Sequence, residues 1–309
     1  MDNKEIYVII VTYNAMPWID RCISSVESSV CPAKCIVVDN VSTDRTVEYI
    51  MKNFPRVLLF PQLKNLGFGG GNNFGIEYAL NHGADFIYLL NQDAWIESDT
   101  IQILKKLMDE NPMFGVISPL QTTKNKDALD RNFCHSVVNN REIGCSLFSD
   151  FSLNKTNDIY PCSFFQAAHW FMSRKCIEKV GLFSPVFTHY GEDNNYLYRV
   201  QYFGLMTGIT AQTTGVHDRS ERKNDNLASD AYFFTLQFLS KAANVNITGL
   251  RRAWAYLEYF VIYLIYMFFI HIYFVLFNEK RRYFLRMPNL SRVFNDVKKN
   301  RRPYFDSLS

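Results

Sequence analysis

Through roughly its first 118 residues this chain alternates short, continuously apolar runs with amphipathic stretches, and that alternation restricts the architecture it can adopt. Ile6-Tyr-Val-Ile-Ile-Val11, Cys35-Ile-Val-Val-Asp39, Val57-Leu-Leu-Phe60, Ala84-Asp-Phe-Ile-Tyr-Leu-Leu90 and Phe114-Gly-Val-Ile-Ser118 read as strands. They lack the apolar/polar alternation of a half-solvated sheet, as strands covered on both faces do. Helical stretches run to about Ser29, over Arg45–Asn53, over Asn73–Asn81 and near Ser98–Glu110. Strand–helix alternation of this kind predicts an α/β fold, a mostly parallel sheet with crossover helices.

Beyond Pro119 the pattern weakens, and residues 121–160 read as a polar, irregular surface insertion. Further strands are predicted at Ala167–Ser173 and Met206–Ile209, and helices at Glu192–Phe203 and Ala228–Ala243. The organisation expected is a strand–helix unit over 1–118, a less regular unit over 119–225 and a helical C-terminal region over 226–309.

The polar motifs sit where the predicted strands end, the place where open α/β sheets bind ligands. Asn65-Leu-Gly-Phe-Gly-Gly-Gly-Asn-Asn73 follows the third strand as a glycine-rich loop able to lie against a ligand. Read as a dinucleotide fingerprint it lacks the third glycine and follows the wrong strand, which disfavours a dehydrogenase. Leu89-Leu-Asn-Gln-Asp93 places one carboxylate just past the fourth strand, suited to a divalent cation that neutralises phosphate. Asp39 ends the second strand, where it can accept hydrogen bonds from a pyrimidine N–H or a ribose hydroxyl, or cap the next helix.

The net charge of +3 is unevenly spread. Residues 251–309 hold 11 Lys/Arg against 4 Asp/Glu, leaving residues 1–250 net negative. A nucleic-acid binder would carry bases across the body, so none is expected. Seven cysteines without framework spacing predict reduced thiols, and the N-terminus carries no secretory pattern. Residues 253–277 are apolar except for Glu258 and His271. Tyr256, Tyr259, Tyr263, Tyr266 and Tyr273 form one helical stripe, which fits a membrane surface or a helix–helix or dimer seam better than a lipid-surrounded span. Arg251-Arg252 and Lys280-Arg-Arg282 flank the helix and are suited to anionic headgroups, so residues 251–302 are expected to meet the membrane surface.

In order, Val8-Ile-Ile-Val-Thr-Tyr-Asn14, Val37-Val-Asp-Asn-Val-Ser-Thr-Asp44, the glycine segment, Leu89–Asp93 and Tyr190-Gly-Glu-Asp193 resemble the motifs of family 2 glycosyltransferases. The likeness covers roughly residues 5–220 and is strongest to the rhamnosyltransferase-like branch that builds bacterial surface polysaccharides. It implies a GT-A fold, with a nucleotide-sugar-binding half over 1–118 and an acceptor-binding half over 119–225, and inverting transfer from a nucleoside-diphosphate sugar, dTDP-rhamnose or a UDP-sugar, to a lipid-linked glycan at the inner face of the cytoplasmic membrane. It also implies that Thr12, Tyr13, Asn14, Asp39, Asn65, Gly67, Gly70, Asn73, Asn91 and Gln92 contact the nucleotide sugar. Asp93, with His217, would hold Mg²⁺ or Mn²⁺; the family's first acid of that motif is here the amide Asn91. Asp193 would be the catalytic base with Glu192 beside it, although the two acids also suit a helix N-terminus. Gln166, His169 and Trp170 are candidates for acceptor contacts, Trp170 equally for the core. A nucleotidyltransferase is disfavoured because Thr12-Tyr-Asn-Ala15 carries no basic glycine loop, which leaves a non-catalytic nucleotide-sugar-binding subunit as the alternative.

Overall fold

The structure, a computed structural model, describes residues 4–139, 141–188, 190–219, 227–277 and 287–304. Chain order gives β1 (Ile6–Thr12), α1 (Ile19–Glu27), β2 (Lys34–Asp39), α2 (Thr46–Asn53), β3 (Leu58–Pro61), α3 (Gly67–Asn81), β4 (Phe86–Asn91), β5 (Ala94–Ile96), α4 (Thr100–Glu110) and β6 (Phe114–Thr122). There follow α5 (Arg131–Asn139), α6 (Arg141–Ser152), β7 (Tyr160–Pro161), β8 (His169–Ser173), α7 (Arg174–Val180), α8 (Glu192–Tyr202) and β9 (Met206–His217). Three helices end the chain: α9 (Leu227–Ala242), α10 (Gly249–Phe277) and α11 (Leu290–Lys299).

One sheet runs β3-β2-β1-β4-β8-β6-β9-β5, with β7 on β9. The β3, β2, β1 and β4 strands are mutually parallel, and β8 enters antiparallel between β4 and β6. Successive residues of β1 feed two cores. Tyr7 and Ile9 join Ile76, Leu89 and Trp170 on one face, while Val8 and Ile10 join Ile23, Leu104 and Phe171 on the other. Both faces are buried, which is why these strands carry no polar alternation.

Four expectations change. The helix predicted from Asn73 begins at Gly67, so most of the glycine segment is helix rather than loop. A Cβ on Gly71 would stand 2.7 Å from Val11 Cγ1, and one on Gly75 2.6 Å from Ile9 Cγ2. These two glycines let α3 lie directly on β1, a packing requirement that resembles a ligand loop in sequence. Residues 121–160 are not irregular: α5 and α6 form there, with Phe133, Val137 and Leu147 buried. The short strand expected at Met206–Ile209 runs on to His217 as β9, with a register shift opposite Pro119/Leu120.

The fourth change concerns the C-terminal region. Tyr259 and Tyr266 are buried, and Tyr256 and Tyr263 are packed beside them, in a core shared with Leu236 and Leu239 of α9 and Val293 of α11. The tyrosine stripe is therefore an intramolecular helix–helix seam rather than a lipid-facing one. Part of the basic tail is folded as well. Arg252 donates to the carbonyls of Asn244, Val245 and Ile247, and Arg301 to those of Val245 and Ile247, so both guanidinium groups serve the α9–α10 turn. Lys280, Arg281 and Arg282 lie outside the described residues, as does the side chain of Tyr273. Among the described residues no helix is long and apolar enough to cross a membrane.

Candidate active site

A cavity of about 910 Å³ opens at the C-terminal ends of β1 and β4. Thr12, Tyr13, Asn40, Asn65 and Gly67 contribute to one part of its lining, and Asn91, Gln92, Asp93 and His217 to another. Glu192 and Asp193 at the start of α8 line it too, with Gln166, Arg219 and, from α9, Phe233, Leu236, Gln237 and Ser240.

The loops that carry Thr12, Tyr13, Asn40 and Asn65 are cross-braced by their own polar groups. Thr12 Oγ1 donates to Asp39 Oδ1 at 2.8 Å, Ser42 Oγ donates to the same oxygen, and Ser42 N donates to Asp39 Oδ2 at 2.9 Å. Asp39 is thus buried behind the wall, with both oxygens engaged inside the protein, and not on the cavity surface as expected. Asn14 is half-buried and does not line the cavity; its Oδ1 accepts from Thr43 N at 2.8 Å and Asp44 N at 3.3 Å. Its backbone is left-handed, at φ 53°. Gln92 exchanges hydrogen bonds with the main chain of Tyr13, at 2.7 and 3.3 Å. Asn40 accepts from Leu66 N at 3.1 Å and donates to Gly67 O at 3.0 Å, fastening the start of α3. These clamps hold Val41 at φ 64°, where a β-branched residue stays only if its surroundings hold it.

Gly70 and Asn73 do not line the cavity. Asn73 instead exchanges hydrogen bonds with the main chain of Phe183, at 2.8 and 3.0 Å, and ties α3 to the segment before α8. His169 is corrected as an acceptor contact and Trp170 takes the core alternative, since β8 runs between two strands and both side chains are fully buried. His169 Nε2 donates to Val216 O at 2.9 Å and Nδ1 accepts from Tyr88 Oη at 2.9 Å. Burial pushes its pKa down to about 3, so the ring is neutral. Trp170 stacks on Phe183 in the core. Gln166 does reach the cavity; its amide donates to Ser136 Oγ at 2.8 Å, and its buried Oε1 has no hydrogen-bond partner among the described residues.

Asp93 and His217 meet because β5 pairs antiparallel with β9, with Ala94 opposite His217. His217 Nε2 stands 3.4 Å from Asp93 Oδ1, and both residues are buried. Two ligands of one small cation lie about this far apart, and a carboxylate with an imidazole, completed by substrate phosphate and water, is a suitable donor set. The residues therefore fit a divalent cation, although no cluster of three or more ligands occurs among the described residues. Behind them, Asp130 Oδ2 lies 3.9 Å from His217 Nδ1 and accepts from Arg219 Nε at 2.7 Å. Arg219 is the one Lys or Arg among the described residues of the lining.

Tyr190 and Gly191 both take left-handed backbone, at φ 64° and 86°, and turn the chain sharply into α8. A Cβ on Gly191 would stand 2.9 Å from the Phe187 ring, so this turn needs glycine. It delivers Glu192 and Asp193 to the cavity. Burial raises the pKa of Glu192, and the neighbouring Asp193 charge raises it further; burial also raises that of Asp193. The raised pair holds a proton near neutrality, with Asp193 the more readily ionised. Glu192 Oε2 is buried without a hydrogen-bond partner among the described residues.

Sequence reasoning missed Arg219, Asp130, Tyr190 and the contribution of α9. Arg219 follows His217 by two residues, a position that the strand's end could have flagged. The α9 contribution has no local signal, because it depends on how the C-terminal helices dock.

Known proteins resemble this chain at several distances. Over 217 residues the chain is 25% identical to the dTDP-rhamnosyl transferase RfbF of Shigella flexneri, covering 70% of this chain and 69% of that one. An N-acetylglucosaminyl-diphospho-decaprenol L-rhamnosyltransferase of Mycobacterium tuberculosis is 30% identical over 122 residues, 37% of this chain and 40% of its own length. In structure, residues 1–349 of S. aureus TarS in complex with UDP-GlcNAc align at a TM-score of 0.58 and 15% identity, covering 96% of this chain and 89% of that one. The mannosyltransferase PcManGT of Pyrobaculum calidifontis, in complex with GDP-Man and Mn²⁺, aligns at 0.55 and 16%, covering 96% and 86%. These likenesses place the fold in the GT-A class. Residues 7–181 match the family model of Glycosyl transferase family 2, more than half of the chain, and the protein belongs to that family.

Proposed function

We propose that the protein transfers a sugar, with inversion, from a pyrimidine nucleoside-diphosphate donor (dTDP-rhamnose or a UDP-sugar) to a lipid-linked glycan in cell-surface polysaccharide synthesis. It would work as a peripheral protein at the inner face of the cytoplasmic membrane. The observation that carries the reading is that Asp93, His217 and Arg219 share one cavity with the raised acidic pair Glu192 and Asp193. The relatives named for dTDP-rhamnose and for a diphospho-decaprenol acceptor support the choice of donor and acceptor.

An acceptor hydroxyl is deprotonated by Asp193 as its oxygen bonds to the anomeric carbon. The bond from that carbon to the diphosphate breaks on the opposite face, and the nucleoside diphosphate leaves. Arg219, anchored by Asp130, offers its remaining N–H donors to the charge that develops on the leaving group. A divalent cation held by Asp93 and His217 would supply further neutralisation of the diphosphate. Glu192, protonated, keeps a second negative charge away from the base and can donate to a sugar hydroxyl. Gln166, in the same lining, would contribute to the acceptor side. Asn65 and Thr12 line the part of the cavity available to the nucleoside.

Asp193→Asn tests the reading. Turnover should fall by roughly 10²–10⁴-fold, the range for loss of a general base, while donor affinity stays near that of the wild type. Retention of most of the turnover would remove Asp193 from the role.

A further inference from the structure

The side of α10 opposite its tyrosine seam is apolar and without cover among the described residues. Leu250, Trp254, Leu257, Val261, Leu264 and Phe268 follow one another at alternating spacings of four and three, and all are between 45% and 90% exposed. Phe260, Ile265 and Phe269 widen this stripe on both sides, each more than 40% exposed. At about 3.6 residues per turn these positions cover roughly half the helix circumference, and from Leu250 to Phe268 the face is about 27 Å long. Two charged residues fall along one edge of it, between Ile265 and Phe269 on the helix circumference: Arg251, and Glu258, which is engaged by Lys241 and by the Trp254 indole.

Two occupants are compatible with so large an apolar surface: a second copy of the helix, or lipid. A helix–helix seam is narrow, and its flanking positions carry the charges that fix partner and register. Here Phe260, Ile265 and Phe269 carry the apolar surface well past the width of a seam, and the flanking acid, Glu258, is already paired with Lys241 inside the chain. A half-circumference apolar face rich in Trp and Phe, on a helix too weakly apolar to span, is the pattern of a helix lying in the plane of a bilayer surface. Charge agrees with this choice, since residues 251–309 carry a net +7 and Arg251 is exposed beside the face.

The same helix is connected to the active site. The buried side of α10 is seated on α9 through Tyr259 and Tyr266, and α9 lines the cavity with Phe233, Leu236, Gln237 and Ser240. We propose that the outward face of α10 docks the protein on an anionic bilayer, and that α9, fixed to its other side, holds the cavity at the lipid surface. The inference rests on the proposed function only for its purpose, delivery of a lipid-linked acceptor to Asp193. The contact itself uses different residues.

The test is flotation of the full chain with phosphatidylcholine vesicles, with and without phosphatidylglycerol. The wild type should float with the anionic vesicles and less so in high salt. Binding should shift the emission of Trp254 to the blue, a change missing from W254F. A triple variant, L257S/L264S/F268S, removes only exposed apolar groups and should lose vesicle binding by roughly tenfold or more. Its titration with UDP or dTDP should remain that of the wild type, which also reports that it is folded. Equal flotation of the variant, or none by the wild type, would overturn the proposal. So would a wild type that is dimeric without lipid and a variant that is monomeric, since that result assigns the face to a second copy. If neither nucleotide binds but vesicles do, the proposed function fails and the docking face stands.

Discussion

Glu192→Gln isolates the electrostatic cost of the active-site pair. The Glu192 side chain is 5% exposed and one of its oxygens has no internal partner, so its ionised form is poorly solvated. Burial, followed by the Asp193 charge, pushes its pKa from 4.5 to about 8. Between these values the folded protein keeps a proton that the unfolded chain has released. Stability is therefore complete below about 4.5, falls as pH rises through this window, and levels off above about 8. At about 1.36 kcal/mol per pH unit the interval corresponds to a maximum of about 5 kcal/mol, reduced where water reaches the ionised carboxylate. Glutamine has the same shape and cannot ionise. In urea denaturation at about pH 5 and about pH 9, the stability of E192Q relative to wild type should rise between the two by several kcal/mol. Parallel stability curves across that range would refute the account of a buried, raised carboxylic acid.

The base predicts a rate profile of its own: with Asp193 pushed up to about 6, kcat/KM should increase as pH rises through that value and the carboxylate forms. A profile flat across this region would point to another base. His169 acts in the opposite sense to Glu192, because the unfolded chain binds a proton below 6.5 that the buried ring refuses until about 3. Stability should fall as pH drops through that window, and H169Q should flatten the acid limb in urea denaturation. Gly75→Ala places a methyl 2.6 Å from Ile9 and should cost about 1–3 kcal/mol in the same assay, with donor affinity in the surviving folded protein little changed. Asp130→Asn removes the anchor of Arg219 and should lower kcat more than it raises KM for the donor in steady-state kinetics, because Arg219 acts on charge that develops in the transition state.

The alternation of β1, β2, β3, β4 and β6 with helices was legible because strands buried on both faces leave an uninterrupted apolar record. Asp93 stood out by its place just past a buried strand, whereas the acids at 192–193 were reached through the family resemblance, because acids at the start of a helix also serve its dipole. Glycine was misleading. Gly71 and Gly75 meet a steric demand from β1, and in sequence that demand looks the same as a close approach to a ligand. His169 and Trp170 were misread because β8 inserts antiparallel into the middle of the sheet, a placement with no local signature. The tyrosine stripe had the right period, but periodicity alone does not say which of two apolar faces of α10 meets the protein.

Calorimetric titration of UDP, dTDP, GDP and CMP, each with and without Mg²⁺ or Mn²⁺, tests the central claim most directly. The account predicts that a pyrimidine nucleoside diphosphate binds in the presence of the metal, and that Asp93→Ala abolishes this metal-dependent binding. Failure of every nucleotide to bind under any of these conditions would contradict it, and would favour a non-catalytic role for the cavity.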